Sequence, residues 1–330
     1  MEYRTLGNSD IEVSTVGFGC WAIVGGFNWG PQDERDSIAA LRAAFDAGVT
    51  FFDSAEMYGD GASEQLVGKA LGRLRDQVVI ASKVGPDHYA PDQLRAACER
   101  SLRHLGSDYL DLYQLHWPNR EIPVAETLGL MAELRDEGKI RAIGVSNFGP
   151  RDLADALAAG VPIVSNQLAY SLLFRAIEFE ILPLCVESGL SVLCYSPMLQ
   201  GLLTGKFVSA DDVPVDRART RHFASTRRDA RHSDSGAETA TFASVEQVRR
   251  AADLVGKPMA NVALAWLLEQ EGVTAVIAGG RSPQQALVNA AAADLELSPD
   301  ILADLAAATD ALKQALGPNA DMWQTDSRIR

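Results

Sequence analysis

The 330-residue chain has only four cysteines, Cys20, Cys98, Cys185 and Cys194, and no two of them stand in a CxxC spacing. All four sit in apolar segments, which argues for reduced, buried thiols and against a disulfide framework or a zinc site. No metal site is expected. Positive charge is also short, with 30 Lys and Arg against 44 Asp and Glu and a formal net charge of -14. A general nucleic-acid binder needs a basic face to neutralise phosphates, so that class is excluded. An anionic ligand would need a local basic pocket. No apolar run reaches the ~20 residues of a membrane span, and the opening Met1-Glu2-Tyr3-Arg4 does not begin a signal peptide. These absences lead us to expect a cytoplasmic protein with a small-molecule substrate and neither a membrane nor a nucleic-acid partner. Monomer and homo-oligomer both stay open. Lysine is the scarcer cation, six against 24 arginines, so a lysine kept in an apolar strand hints that a compact ammonium is needed there.

What is present is ordinary for a folded protein, 47% hydrophobic and 22% charged residues. Apolar, β-rich runs alternate with segments of helical period. Eight strands are predicted, at 15–20, 50–54, 78–84, 109–116, 140–147, 162–168, 190–196 and 273–280. Between them lie amphipathic stretches such as 37–47, where Ile38, Leu41 and Phe45 share a face and Gly48 supplies a stop. Most strands are continuous apolar runs, as expected when both faces are covered. Eight such units suggest an α/β fold of the (β/α)8 TIM-barrel type in one domain, residues 1–330, with a doubly wound open sheet as the competitor. Residues 3–13 read as a hairpin turning at Gly7-Asn8, and residues 205–243 as a long polar excursion after the seventh strand, before helices at 244–256 and 258–270.

In a barrel, reacting groups come from the carboxyl ends of the strands. The stretch FFDSAEMYGDGASE, residues 51–64, ends a strand at Asp53 and carries Tyr58 in the polar loop that follows. Lys83 ends the third strand and His116 the fourth. A phenol of pKa about 10 is a weak acid near neutrality, so catalytic use of Tyr58 requires a neighbour that stabilises phenolate. Lys83 would do that, Asp53 would hold the lysine charged, and His116 would position a carbonyl. Taken singly, Lys83 with Asp53 also reads as a structural ion pair, His116 as a core histidine and Tyr58 as packing. A stretch resembling a dinucleotide fingerprint, GFGCWA at residues 17–22, leads into the loop IVGGFNWGP and not into a helix, so it is read as the first barrel strand and a substrate-facing loop.

These residues and their surroundings resemble the aldo-keto reductases. The resemblance runs through YRTLGNSDIEVSTVGFG, FFDSAEMYGDGASEQLVGKAL, VVIASKVG, SLRHLGSDYLDLYQLHWP, IRAIGVSNF, SNQLAYSLL, YSPMLQGLLTGKF and VIAGGRSPQQALVNA, to about residue 300. It implies a catalytic tetrad of Asp53, Tyr58, Lys83 and His116, with Tyr58 as proton donor. It implies a nicotinamide cofactor, NADP(H) in preference to NAD(H). Ser146, Asn147 and Gln167 would hold the carboxamide and Tyr195 would stack on the nicotinamide. Ser196, Leu199, Gly201 and Lys206 would form a strap beside the pyrophosphate, and Gly280, Arg281, Gln285 and Asn289 would receive the adenosine end. The family's Q-x-x-E-N pattern has Val288 in place of Glu here, which removes one adenine contact.

The activity implied is reversible carbonyl reduction of a sugar, an aromatic aldehyde or a similar compound. Trp21, Phe27, Trp29, Tyr89 and Trp117 are candidate pocket residues, with Trp323 from the terminal segment. Two other classes compete: a Schiff-base lyase using the Lys83 amine, and a regulatory module that holds cofactor without turnover. Arg217, Arg219, Arg221, Arg227, Arg228 and Arg231 crowd the excursion. Such a run reads either as solvated surface or as a flap that meets the cofactor pyrophosphate.

Overall fold

The computed structural model describes residues 1–26 and 29–330. Eight parallel strands close into a barrel: β3 (Val16–Gly19), β4 (Phe51–Asp53), β5 (Val79–Val84), β6 (Leu110–Leu115), β7 (Ile140–Ser146), β8 (Ser165–Ala169), β9 (Ser191–Tyr195) and β10 (Val273–Gly279). They pair in chain order, and β10 closes the ring on β3. Each expected strand is present but shorter, because the outermost residues of several apolar runs leave the ladder for the loops that carry the site.

Helices α1 (Glu34–Asp46), α2 (Ala62–Leu71), α3 (Pro91–Leu105), α4 (Val124–Asp136), α5 (Pro150–Ala158), α6 (Ile181–Glu187), α7 (Glu238–Val255), α8 (Met259–Leu268), α9 (Pro283–Ala290) and α10 (Pro299–Leu316) are distributed between the strands and after β10. In α1 the buried stripe is Ser37, Ala40, Leu41 and Ala44. Ile38 and Phe45 flank it, part-buried against the core. The expected face is therefore present but rotated toward the small residues, which let the helix approach the barrel closely.

The hairpin pairs β1 (Tyr3–Thr5) with β2 (Glu12–Ser14) in antiparallel register, Thr5 opposite Glu12. Its connection therefore runs from residue 6 to residue 11 and is not a two-residue turn at Gly7-Asn8. Leu6, Ile11 and Val13 from this hairpin share one buried cluster with Phe51, Val79, Ala81, Leu112, Leu193, Ala275 and Ile277. The hairpin thus plugs the amino-terminal mouth of the barrel with apolar side chains.

Strand alternation now fixes what stands at the other mouth. Side chains two apart share a face, so the inward series continues from Phe51 to Asp53, from Ala81 to Lys83 and from Leu112 to Gln114. Register places Lys83 beside Gln114 and Ser146 beside Gln167. The barrel interior is apolar at the plugged end and polar at the open end. The segment after β9 contains short 3-10 turns at Leu199–Thr204 and Ala210–Asp212 and otherwise runs irregularly to 237; α7 begins at Glu238, six residues earlier than the expected 244. All four cysteines are free and buried. The 17–22 stretch forms β3 and a short 3-10 turn at Ala22–Val24, with α1 starting only at Glu34.

Candidate active site

Tyr58 is held by its own loop. The Tyr58 amide donates to the Ala55 carbonyl (3.0 Å), and the Glu56 amide to that of Lys83 (3.2 Å). The buried Glu56 carboxylate accepts from the Gly85 amide (2.7 Å) and from Arg100 (2.6 Å). Residues Gly59, Asp60 and Gly61 all have positive φ (62°, 53° and 85°), which folds the chain sharply back before α2. A Cβ on Gly59 would lie 3.1 Å from Val24, so the left-handed backbone and the close approach both call for glycine.

Three of the four expected residues form one bonded group, with the fourth against it. Lys83, wholly buried, donates through Nζ to Asp53 Oδ2 (2.6 Å), to the Ser54 carbonyl (2.8 Å) and to Tyr58 Oη (3.2 Å). The other Asp53 oxygen accepts from Gln167 Nε2 (2.8 Å) and Gln114 Nε2 (3.2 Å). His116, one residue past β6, stands edge-on to Tyr58 at 5.9 Å between ring centroids. Its Nδ1 is buried and has no hydrogen-bond partner among the described residues. Trp21 stacks on the opposite side of Tyr58 at 6.0 Å.

The surroundings set the protons. Burial by itself would lower the Lys83 pKa, but the Asp53 carboxylate, followed by Tyr58, raises it above its ordinary value, so the ammonium is charged. Burial pushes the Tyr58 phenol up, Lys83 pulls it down and Asp53 adds to the rise, with a net upward shift. Tyr58 is partly buried and still lines the cavity. Lys83 acts in the expected direction, favouring phenolate, and moderates the rise that burial causes. Burial, and then the Lys83 charge, hold His116 well below the ordinary imidazole value, so it is neutral at pH 7.

Two connected hollows meet at Tyr58. One, of about 300 Å³, is lined by Trp21, Tyr58, His116, Trp117, Tyr195, Arg219, Arg231, Trp323 and Arg328. The other, a groove of about 440 Å³, runs past Tyr195, Ser196, Gly201, Lys206 and Arg217 to Gly280, Arg281, Gln285 and Asn289. Along the groove Ser196, Leu199, Gln200 and Gly201 all have positive φ (50°, 41°, 54° and 98°), a run of left-handed backbone that bends the strap around it. A Cβ on Gly201 would stand 3.0 Å from Lys206 Nζ, so glycine keeps this lysine's place. Burial, and then Arg217 and Arg281, lower the Lys206 pKa, the mark of cations gathered on one wall. Arg281 donates to Gln32 Oε1 (2.8 Å) and to the Pro31 carbonyl. An elongated molecule with an anionic middle or end fits this groove.

The remaining expected residues divide. Gln167, Ser146 and Asn147 all line the cavity beside Tyr195. Asn147, however, uses Nδ2 on the His116 carbonyl (3.0 Å) and on Ser146 Oγ (3.1 Å), and its Oδ1 accepts the Tyr195 hydroxyl (2.8 Å). It positions the Tyr195 ring. Leu199 is buried at 2% exposure, and its place in the strap is a backbone one. Tyr89 does not face the cavity; it is 2% exposed, and its hydroxyl donates to the Trp117 carbonyl (2.6 Å) from a separate cleft of about 290 Å³. Trp29 lines the groove and not the cavity. Phe27 lies outside the described residues. Trp323 does line the cavity, because the terminal segment is tied down: Asp321 is fully buried and binds Arg328 at 2.7 and 3.0 Å.

Of the six arginines in the excursion, Arg221 and Arg227 are anchors, to Asp234 (2.5 Å) and Glu238 (2.6 Å) respectively. Arg217 reaches the groove, and Arg219 and Arg231 reach the cavity. Sequence reading missed Gln114, whose signal was an inward polar position two residues before His116, and Arg328, which carried none.

The Aldo/keto reductase family matches residues 15–310. The chain belongs to that family of oxidoreductases. It is 37% identical to the aldo-keto reductase YhdN of Bacillus subtilis over 300 residues, 86% of each protein. It is 34% identical to the NADH-specific methylglyoxal reductase of Escherichia coli over 322 residues, covering 90% of this chain and 95% of that protein. Among solved structures, an aldo/keto reductase from Klebsiella pneumoniae in complex with NADP and acetate superposes with a TM-score of 0.74 at 33% identity, covering 92% of this chain and 94% of that one.

Proposed function

We propose that the protein reduces the carbonyl group of a small aldehyde or ketone, with Tyr58 as the proton donor and a nicotinamide dinucleotide as reductant. The observation that carries this reading is the chain Asp53, Lys83, Tyr58, bonded at 2.6 and 3.2 Å and opening onto a cavity shared with His116. When bound, a reduced nicotinamide supplies hydride to the carbonyl carbon. Tyr58 gives its phenolic proton to the carbonyl oxygen, and the Lys83 ammonium stabilises the phenolate left behind. Asp53 keeps that ammonium charged and aimed. The neutral His116 imidazole orients the carbonyl oxygen from the cavity side. The phenol is held protonated at neutral pH, the state in which it can give its proton to the carbonyl oxygen.

The groove and the adjoining cavity support the cofactor reading through their own residues. Tyr195, fixed by Asn147, offers a ring face for the nicotinamide, while Gln167 and Ser146 stand beside it for the carboxamide. Ser196, Gly201 and Lys206 flank the place for the pyrophosphate. Gly280, Arg281, Gln285 and Asn289 surround the adenosine end. Arg281, with Lys206 and Arg217 close by, suits a 2′-phosphate, hence NADP(H) over NAD(H). The relative named NADH-specific makes this preference one to measure. A Schiff-base role for Lys83 is disfavoured, because its charged nitrogen directs hydrogen bonds to Asp53, Ser54 and Tyr58 and presents no lone pair.

The test follows NADPH and NADH oxidation with sugars, aromatic aldehydes and α-dicarbonyls in the wild type and in Tyr58→Phe. The variant is expected to lose about 10²–10⁴-fold in kcat, the range for a general acid, while cofactor affinity is unchanged. Equal turnover at saturating substrate would contradict the assignment.

A further inference from the structure

Arg281 lines the far end of the groove, but its aim is decided by a residue that does not. The loop between β3 and α1 is closed at its base by two backbone bonds, the Gly26 amide to the Gly30 carbonyl (3.1 Å) and the Gly30 amide to the Gly26 carbonyl (2.7 Å). Just past that closure comes Gln32, part-buried and outside the groove lining. Its Oε1 accepts from Arg281 Nε (2.8 Å), while its Nε2 donates to the Arg281 carbonyl (3.0 Å) and to Ser37 Oγ (3.1 Å). One amide therefore grips both the main chain and the side chain of Arg281. Ser37 is buried in α1 and its hydroxyl donates to the Ile23 carbonyl (2.8 Å), so the grip is rooted in the core. The neighbouring Pro31 carbonyl takes Arg281 Nη2, and the Gln285 side chain takes the Arg281 amide (2.8 Å).

Resting on the cofactor reading above, we propose that Gln32 is a positioning residue for the dinucleotide, which sets the preference for a 2′-phosphate by holding Arg281 in the pose that receives it. Nε and Nη2 form one edge of the planar guanidinium, and both are committed to the loop. The other edge, Nη1 with the second Nη2 hydrogen, makes no bond to a described residue, and it presents the parallel N–H donors that meet two phosphate oxygens. Burial, then Arg217 and Arg281, lower the Lys206 pKa, so the cation that Gln32 holds belongs to the charged wall of the groove. An arginine has many rotamers, and one fixed before the ligand arrives loses less freedom on binding. A dinucleotide without the 2′-phosphate does not use that outer edge. The gain from Gln32 therefore falls on NADP(H) alone.

The test is a set of NADPH and NADH binding titrations on the wild type, Gln32→Ala, Gln32→Met, Arg281→Ala and the double variant Gln32→Ala with Arg281→Ala. Gln32→Met keeps the length of the side chain and removes its hydrogen bonds, which separates lost orientation from lost packing. Both Gln32 variants are expected to weaken NADPH about three- to ten-fold, the fold-change for one lost hydrogen bond, with NADH hardly moved. In the Arg281→Ala background, Gln32→Ala should bring no further loss of NADPH, because its effect runs through the guanidinium. A merely structural fault in the loop would weaken both cofactors together. Equal losses for NADPH and NADH in the Gln32 variants, no loss in either, or single-variant losses that multiply in the double variant would overturn the proposal. Arg281→Ala would then still separate the two cofactors, and the phosphate reading would stand. Equal losses of NADPH and NADH in Arg281→Ala would overturn that reading and the role of Gln32 with it.

Discussion

At the scale of single residues, burial and one ion pair set the protonation of Tyr58, Lys83 and His116. Tyr58 is raised above the ordinary phenol value of about 10 and His116 is depressed below the imidazole value of about 6.5. Between those limits the proposed proton donor, Tyr58, is protonated and the His116 imidazole neutral. The rate of carbonyl reduction at saturating substrate should therefore be flat across neutral pH, with its alkaline limb above about 10 and no acid limb from His116 above about 6.5. A half-maximal rate near pH 8 in a stopped-flow profile would contradict these protonation states. In the proposed cofactor reading, Arg281 is the residue that would set the choice of dinucleotide. Arg281→Ala should weaken NADPH by about 1.5 to 3 kcal/mol, the range for a hydrogen bond to a charged group, and hardly move NADH. Isothermal titration with both cofactors checks it, and equal losses would rule out the phosphate contact. Asp53, Tyr58, Lys83 and His116 were legible because each is an ionisable group placed where an apolar run stops. Tyr89 was misread because composition does not tell which way an aromatic side chain points, and Gln114 was missed although its polar side chain stands two residues before His116 on the inward face of β6.

Among elements, the excursion after β9 is a stapled wall and not a loose flap. Arg221, 8% exposed, donates to Asp234 and to the carbonyls of Leu316 and Asn319, which ties the segment to the end of α10. His222, fully buried, bonds the Leu173 carbonyl at 2.9 Å. Rapid cleavage of the cofactor-free protein after the arginines of this segment, the outcome a flap would give, is therefore not expected. Arg221→Ala should leave the part-buried Asp234 carboxylate and two carbonyls without this donor and cost about 1–3 kcal/mol, the penalty for losing hydrogen bonds at partly buried groups. Chemical denaturation measures that loss, and limited trypsinolysis should show faster cutting after residues 217–231 in the variant. A change under about 1 kcal/mol would mean that the staple is not needed to hold the wall. The strands were legible from their continuous apolar runs, and the start of α7 was not. Its first turn, from Glu238, is built of polar and small residues whose partners, Ala224 and Arg227, lie across the excursion. No local periodicity announces a helix end fixed by such contacts.

For the whole molecule, the barrel divides its interior by height: apolar and plugged by the hairpin below, charged and open above. That division was implicit in the sequence as strand alternation, but the location of the cationic groove was not, because Lys206, Arg217 and Arg281 are brought together only by closure of the ring. The fold also carries a pH dependence of its own. His222 is lowered to about 4, chiefly by burial, against the bond to Leu173 and with Arg221 and His232 adding to the fall. Its folded pKa is below the unfolded one, so between about 6.5 and about 4 the unfolded chain binds the extra proton. Stability should be full above that window and fall as the pH drops through it, by up to about 3 kcal/mol from this group, readable as denaturation midpoints at pH 7 and pH 4.5. A midpoint that does not fall would contradict the burial of a neutral imidazole. The central claim is that the hollow at Tyr58 joins a reduced nicotinamide to a carbonyl and protonates the product oxygen there. The most direct measurement uses NADPH and NADH deuterated at C4 of the nicotinamide, with product analysis by mass spectrometry and NMR in the wild type and Tyr58→Phe. The account predicts deuterium on the carbinol carbon of the wild-type product, and in Tyr58→Phe the same label appearing at least about 100-fold more slowly with cofactor still bound. A product carrying no deuterium at that carbon, or a Tyr58→Phe variant that labels it at the wild-type rate, would contradict it.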